Sequence, residues 1–119
     1  MIGAARNGYV IRKLADAPSV PCPCGVSTRP LTAADGAPCS LHVTEIRDSA
    51  RHYHRETTEV YYILEGTGKI ELNGDRHDLE PGTVIWIEPG TRHRVTSEAG
   101  LKTIVFALPA FNPEDEWFD

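Results

Sequence analysis

Arg51-His52-Tyr53-His54-Arg55-Glu56-Thr57-Thr58-Glu59, running directly into Val60-Tyr61-Tyr62-Ile63-Leu64, decides how this chain folds. His52 and His54 are two residues apart, so on a β-strand both imidazoles leave from one face while Tyr53 and Arg55 leave from the other. A short polar segment separates them from Glu59, which opens a run of β-branched and aromatic residues. A carboxylate there can swing onto the face that carries the two histidines. Much later, His93 follows the tight Pro89-Gly90 turn, where a curled sheet can return it to the same place. Three neutral imidazoles and one carboxylate suit a first-row divalent metal, with no thiolate among them to favour soft-metal chemistry. Such a centre keeps a net charge of about +1 and, if octahedral, two open positions for water, dioxygen or a chelating substrate.

Working outward, ten glycines and nine prolines punctuate brief runs of Val, Ile, Tyr, Thr and Phe. That spacing predicts an all-β sandwich or barrel. Strands are expected at residues 9–14, 26–32, 39–47, 51–54, 59–65, 69–73, 76–79, 83–88, 93–97 and 101–108. Glu65-Gly66-Thr67-Gly68 and Asn73-Gly74-Asp75 supply the positive-φ positions of hairpin turns. Pro81-Gly82 and Pro89-Gly90 bracket the strand at 83–88. One domain is expected from 119 residues. Residues 1–38 read as an arm with edge strands, 39–108 as the barrel core, and 109–119 as an acidic tail that docks through Phe111, Trp117 and Phe118.

The two clusters carry a family resemblance. His52-x-His54-x4-Glu59-x6-Gly66 is followed by Gly82-x5-Glu88-Pro89-Gly90-x2-His93. This resembles the two-part signature of the cupin superfamily, in particular its small single-domain conserved-barrel members. The resemblance covers roughly residues 39–108. It implies a double-stranded β-helix, that is, a jelly-roll cupin barrel, with His52, His54, Glu59 and His93 as ligands of a divalent transition metal (Fe, Mn, Ni or Zn). Gly66, Gly82 and Gly90 are then turn positions. The sequence departs from the family pattern at Ile46, Glu88 and Ser97, none of them a ligand.

Cupins resemble one another in scaffold while serving as dioxygenases, isomerases, epimerases, decarboxylases and binding modules, so fold alone names no reaction. The leading expectation is a metal-dependent enzyme, a dioxygenase or isomerase, acting on a small polar molecule. The alternative is a metal-dependent binding or sensing module without turnover. If Glu59 points inward, Tyr61 and Ile63 share its face, and Tyr61 is either a general acid near the metal or a barrel-lining aromatic. Trp86 and Arg92 are candidate substrate contacts, and Arg29, Arg47 and Arg92 are the side chains able to clamp a carboxylate. His42 and His77 read as surface or satisfied histidines.

A formal charge of −5 and the lack of any Lys/Arg run argue against a nucleic-acid partner. No apolar stretch approaches the ~18 residues needed to cross a bilayer. The first residues lack the apolar core of a signal peptide, so a cytoplasmic location is expected. Cys22, Cys24 and Cys39 read as reduced thiols rather than a disulfide framework. The arm and the aromatic tail, beyond what a minimal barrel needs, point to a homodimer.

Overall fold

Between its positive-φ turns the described part of the chain forms eight β-strands. The computed structural model describes residues 8–22 and 25–119. The strands are β1 (Ser19–Cys22), β2 (Gly25–Leu31), β3 (Ser40–Asp48), β4 (Thr58–Glu65), β5 (Gly68–Leu72), β6 (Asp75–Leu79), β7 (Val84–Ile87) and β8 (His93–Leu108). They pair antiparallel in the order β1-β2-β3-β8-β4-β7, and β5 joins β6 to β8. This is the jelly-roll cupin barrel expected from the sequence.

β8 organises the barrel. Its C-terminal half lies between β3 and β4, through pairs such as Val43–Ile104 and Tyr62–Ile104. Its N-terminal part pairs with β5, placing His93 beside Leu72. Inside, Ile46, Tyr61, Ile63, Ile70, Leu79, Ile85, Ile87, Val95 and Leu101 form one apolar cluster. Strand parity builds it: on β4 the buried residues are Glu59, Tyr61 and Ile63, alternating with more exposed neighbours. Ile63 is 1% exposed, so its replacement by Ala would cost about 2–5 kcal/mol. Gly66, at φ +86°, turns β4 into β5, and a Cβ there would lie 2.6 Å from the Gly100 carbonyl oxygen. Only glycine satisfies both the dihedral and the close approach.

Several strand expectations are corrected. Residues 9–14 form no strand and lead into a 3-10 turn at Leu14–Asp16. Tyr9 and Ile11 are exposed there, so the apolar residues that suggested a strand have no sheet to cover. The edge strand forms instead at β1, where Pro21 pairs with Val26. Proline is tolerated there because an outermost strand need not donate on its free side. Residues 51–54 reduce to two isolated bridges, His52–His93 and Tyr53–Trp117. The strands expected at 93–97 and 101–108 merge into β8 through Gly100 at φ +92°. Cys22 is disulfide-bonded and Cys39 is a free thiol; Cys24 lies outside the described residues. The expectation of a reduced Cys22 is therefore corrected, an odd cysteine count being a poor guide to pairing. Among the described residues no helix is long and apolar enough to cross a membrane.

Candidate metal centre

The four residues converge by two routes. Glu59 is delivered by β4 parity. His52 and His93 face each other across a two-residue bridge, with His52 N donating to His93 O at 3.1 Å and His93 N to His52 O at 2.9 Å. Gly90, at the positive-φ turn before His93, donates to the His54 carbonyl at 2.7 Å. The two motifs are thus stitched together through backbone. One ligand atom from each of His52, His54, Glu59 and His93 lies within 4.8 Å of the others.

Each imidazole has its second nitrogen occupied. His52 Nδ1 donates to Ala50 O at 2.7 Å, His54 Nδ1 to Asp115 O at 2.8 Å, and His93 Nδ1 to Thr91 O at 2.8 Å. A carbonyl can only accept, so the proton sits on Nδ1, and in the neutral ring the Nε2 lone pair is free. Such backbone bonds are how metal-binding histidines are oriented.

His54 Nε2, His93 Nε2 and Glu59 Oε1 are buried without a hydrogen-bond partner among the described residues. Glu59 Oε1 is 3.1 Å from His54 Nε2 and 3.2 Å from His93 Nε2, so the three atoms crowd one point. Orphaned polar atoms are rare in protein interiors. A shared cation satisfies all three together, so the residues fit a metal ion. The nitrogen and carboxylate set suits iron, manganese, nickel or zinc.

Electrostatics agree with this geometry. With no cation bound, burial disfavours charge on His54, but the adjacent Glu59 carboxylate outweighs it and lifts the ring to about 9. Burial also works against the Glu59 carboxylate, yet the two neighbouring imidazoles hold it down at about 2. His52 is pushed down to about 4 by burial and by His93. A divalent cation at this centre would take the place of the extra proton on His54.

The centre opens into a cavity of about 300 Å³. Tyr61 lines it and is 5% exposed, with its ring edge-on to His93 at 6.2 Å. Burial, then the charges of Glu59 and Glu116, push its phenol well above its ordinary value. The sequence reading missed three wall residues. Glu116 brings Oε1 within 3.7 Å of His52 Nε2, and burial raises its carboxyl. His42 lines the wall and is 7% exposed, which corrects its reading as a surface or satisfied histidine. It alternates with Thr44 and Ile46 on the inner face of β3, the signal that would have found it. Phe111 comes from the C-terminal segment. His77 is exposed.

Trp86 and Arg92 are not brought to this cavity. β7 alternates with Ile85 and Ile87 inward, which sends Trp86 outward at 67% exposure. Arg92 holds Asp119 through Nε at 2.9 Å and Nη2 at 3.1 Å, and its guanidinium stacks on Tyr53. Arg47 reaches the Glu98 carbonyl. Of the three arginines read as carboxylate clamps, Arg29 lines the cavity.

A family model described as Cupin domain matches residues 41–107, and the chain belongs to that family. The protein MJ1618 of Methanocaldococcus jannaschii is 33% identical over 66 residues, covering 54% of this chain and 53% of that protein. L-ectoine synthase of Mycolicibacterium gilvum is 36% identical over 91 residues, covering 73% of this chain and 67% of the enzyme. The chain thus spans about half to two-thirds of these relatives. A solved protein from Planctomyces limnophilus superposes with a TM-score of 0.87 at 36% identity, covering 94% of this chain and 98% of that one. Pac13, a nucleoside dehydratase, superposes with a TM-score of 0.76 at 18% identity over 92% of this chain and 89% of that one, which establishes the shared barrel alone.

Proposed function

We propose that this chain is a metal-dependent enzyme that acts on a small polar molecule in the barrel cavity. The observation that carries the reading is the set of three buried atoms with no hydrogen-bond partner among the described residues, His54 Nε2, His93 Nε2 and Glu59 Oε1, converging on one point. His52, His54, Glu59 and His93 would hold the ion, which supplies Lewis-acid polarisation of a bound oxygen. Tyr61, kept protonated by its burial, presents a hydroxyl to that cavity as the general acid. Glu116 stands at the same wall, 3.7 Å from His52 Nε2, so a phenol and a carboxyl able to exchange protons flank the centre. That pairing favours an isomerase-type, proton-moving reaction over oxygen-dependent cleavage. The likeness to L-ectoine synthase supports a small-molecule substrate. Oxygen consumption by the iron form against thiols, diketones and phenols tests the choice. None is expected, and uptake with any of them contradicts it.

The chain also carries a surface suited to self-association. Trp86, Val60 and Phe106 form one cross-strand row on the outer sheet face, and Val84, Tyr62 and Ile104 form the next. Trp86, Val84 and Tyr62 are exposed. Apolar patches of this kind mark interfaces, and a symmetric homodimer through this face is the assembly we propose.

A further inference from the structure

Arg29 is a half-buried arginine on the cavity wall that no carboxylate contacts directly among the described residues; the charge acting with it is that of Glu116, on the same cavity. Its Nε donates to Ser27 Oγ at 3.2 Å, and its guanidinium carbon lies 5.3 Å from the Phe111 ring centroid. Its two terminal nitrogens have no hydrogen-bond or ion-pair partner among the described residues. Arg12, Arg51, Arg92 and Arg94, by contrast, are each held against a carboxylate. A partly desolvated guanidinium is stabilised by an anion that accepts from its fork.

His42 lies beside it. Its ring is buried, lines the same cavity and makes no hydrogen bond among the described residues, and it packs edge-on to Phe111 at 5.6 Å. Burial and the Arg29 charge keep it neutral, so it can donate one hydrogen bond. The hydroxyls of Ser27 and Thr44 line the wall next to the pair and lie 3.5 Å apart. Unpartnered polar groups on one wall of a small cavity are the mark of a ligand subsite.

Charge and size narrow the ligand. One arginine balances one negative charge, so a monoanion matches this wall better than a phosphate dianion. A planar carboxylate also matches the guanidinium fork. We propose that Arg29 and His42 form a carboxylate subsite, so that the small molecule presented to the His/Glu centre is a carboxylic acid anchored by Arg29. The substrate class rests on the metal-enzyme reading above; the anion subsite itself is a property of this wall.

The test is calorimetric titration of glycolate, 3-hydroxypropionate and 4-hydroxybutyrate, with their amides and methyl phosphate, into wild type, R29Q and R29K. Metal content and thermal stability are measured on the same samples. At least one acid should bind wild type, R29Q should weaken it by about tenfold or more, and R29K should fall between. The amides should bind R29Q and wild type equally. Acid binding unaffected by R29Q in a folded protein overturns the proposal, as does no binding of any acid at millimolar concentration or tighter binding of methyl phosphate than of the acids. A wild type without metal that still binds the acid through Arg29 overturns the metal reading and leaves the subsite standing.

Discussion

His54 is oriented by Asp115, sixty-one residues away: its Nδ1 donates to the Asp115 carbonyl oxygen at 2.8 Å. The same residue's carboxylate accepts from the backbone N–H groups of Arg55, Glu56 and Thr57 at 2.9–3.2 Å, from the Thr57 hydroxyl, and from Trp117 Nε1. The C-terminal segment therefore templates the loop between the histidine pair and Glu59. The Tyr53–Trp117 bridge and the stacking of Arg55 on Trp117 at 3.6 Å hold the clasp shut.

Replacing Asp115 with Ala leaves three loop N–H groups without acceptors. Several charge-assisted bonds at once are worth about 2–4 kcal/mol net. The urea midpoint should fall accordingly, and metal affinity should weaken because the loop no longer fixes His54. Urea denaturation and metal titration of D115A check this; unchanged values in both would show that the tail merely covers the site.

Removing metal should expose a pH signature of the His54–Glu59 pair. His54 is raised from 6.5 to about 9, so its contribution to stability is complete below 6.5 and lost as pH rises through about 9. Glu59 is depressed from 4.5 to about 2, so its contribution is complete above 4.5 and lost as pH falls through about 2. In chelator-treated protein the pair therefore stabilises most between pH 4.5 and 6.5. Thermal melts should show Tm declining from pH 6.5 towards 9, with a smaller decline in H54A.

The reach of sequence reasoning followed the range of the contacts. Strand parity places Glu59, Tyr61 and Ile63 on one face, and local turn chemistry at Gly66 and Gly90 is readable from the residues themselves. The resemblance supplied the pairing of His93 with the earlier cluster. The Asp115 clasp was not legible, because an acidic residue in an acidic tail carries no mark of the distant N–H groups it serves. Strand β1 was hidden by Pro18 and Pro21, and the exposed Ile11 imitated a strand. Trp86 looked like a pocket aromatic, but its parity on β7 depends on a turn whose geometry composition does not reveal.

Tyr61→Phe removes one hydroxyl from the cavity and leaves the ring in the core. If the phenol is the general acid, turnover on the eventual substrate should fall by about 10²–10⁴-fold. Metal content and Tm should stay near wild type. Equal turnover in Y61F would assign Tyr61 to barrel packing.

Trp86→Glu places a charge in the centre of the exposed apolar rows of β7, β4 and β8. Light scattering should give a dimer mass for wild type and a monomer mass for W86E, with the metal content of both alike. A monomeric wild type would refute the interface.

On the proposed reading, His52, His54, Glu59 and His93 together hold one metal ion. Elemental analysis of the purified protein beside H54A and H93A tests it most directly. About one divalent transition-metal ion per wild-type chain, lost from both folded variants, is the predicted result; a wild type without stoichiometric metal, or variants that retain it in full, would contradict it.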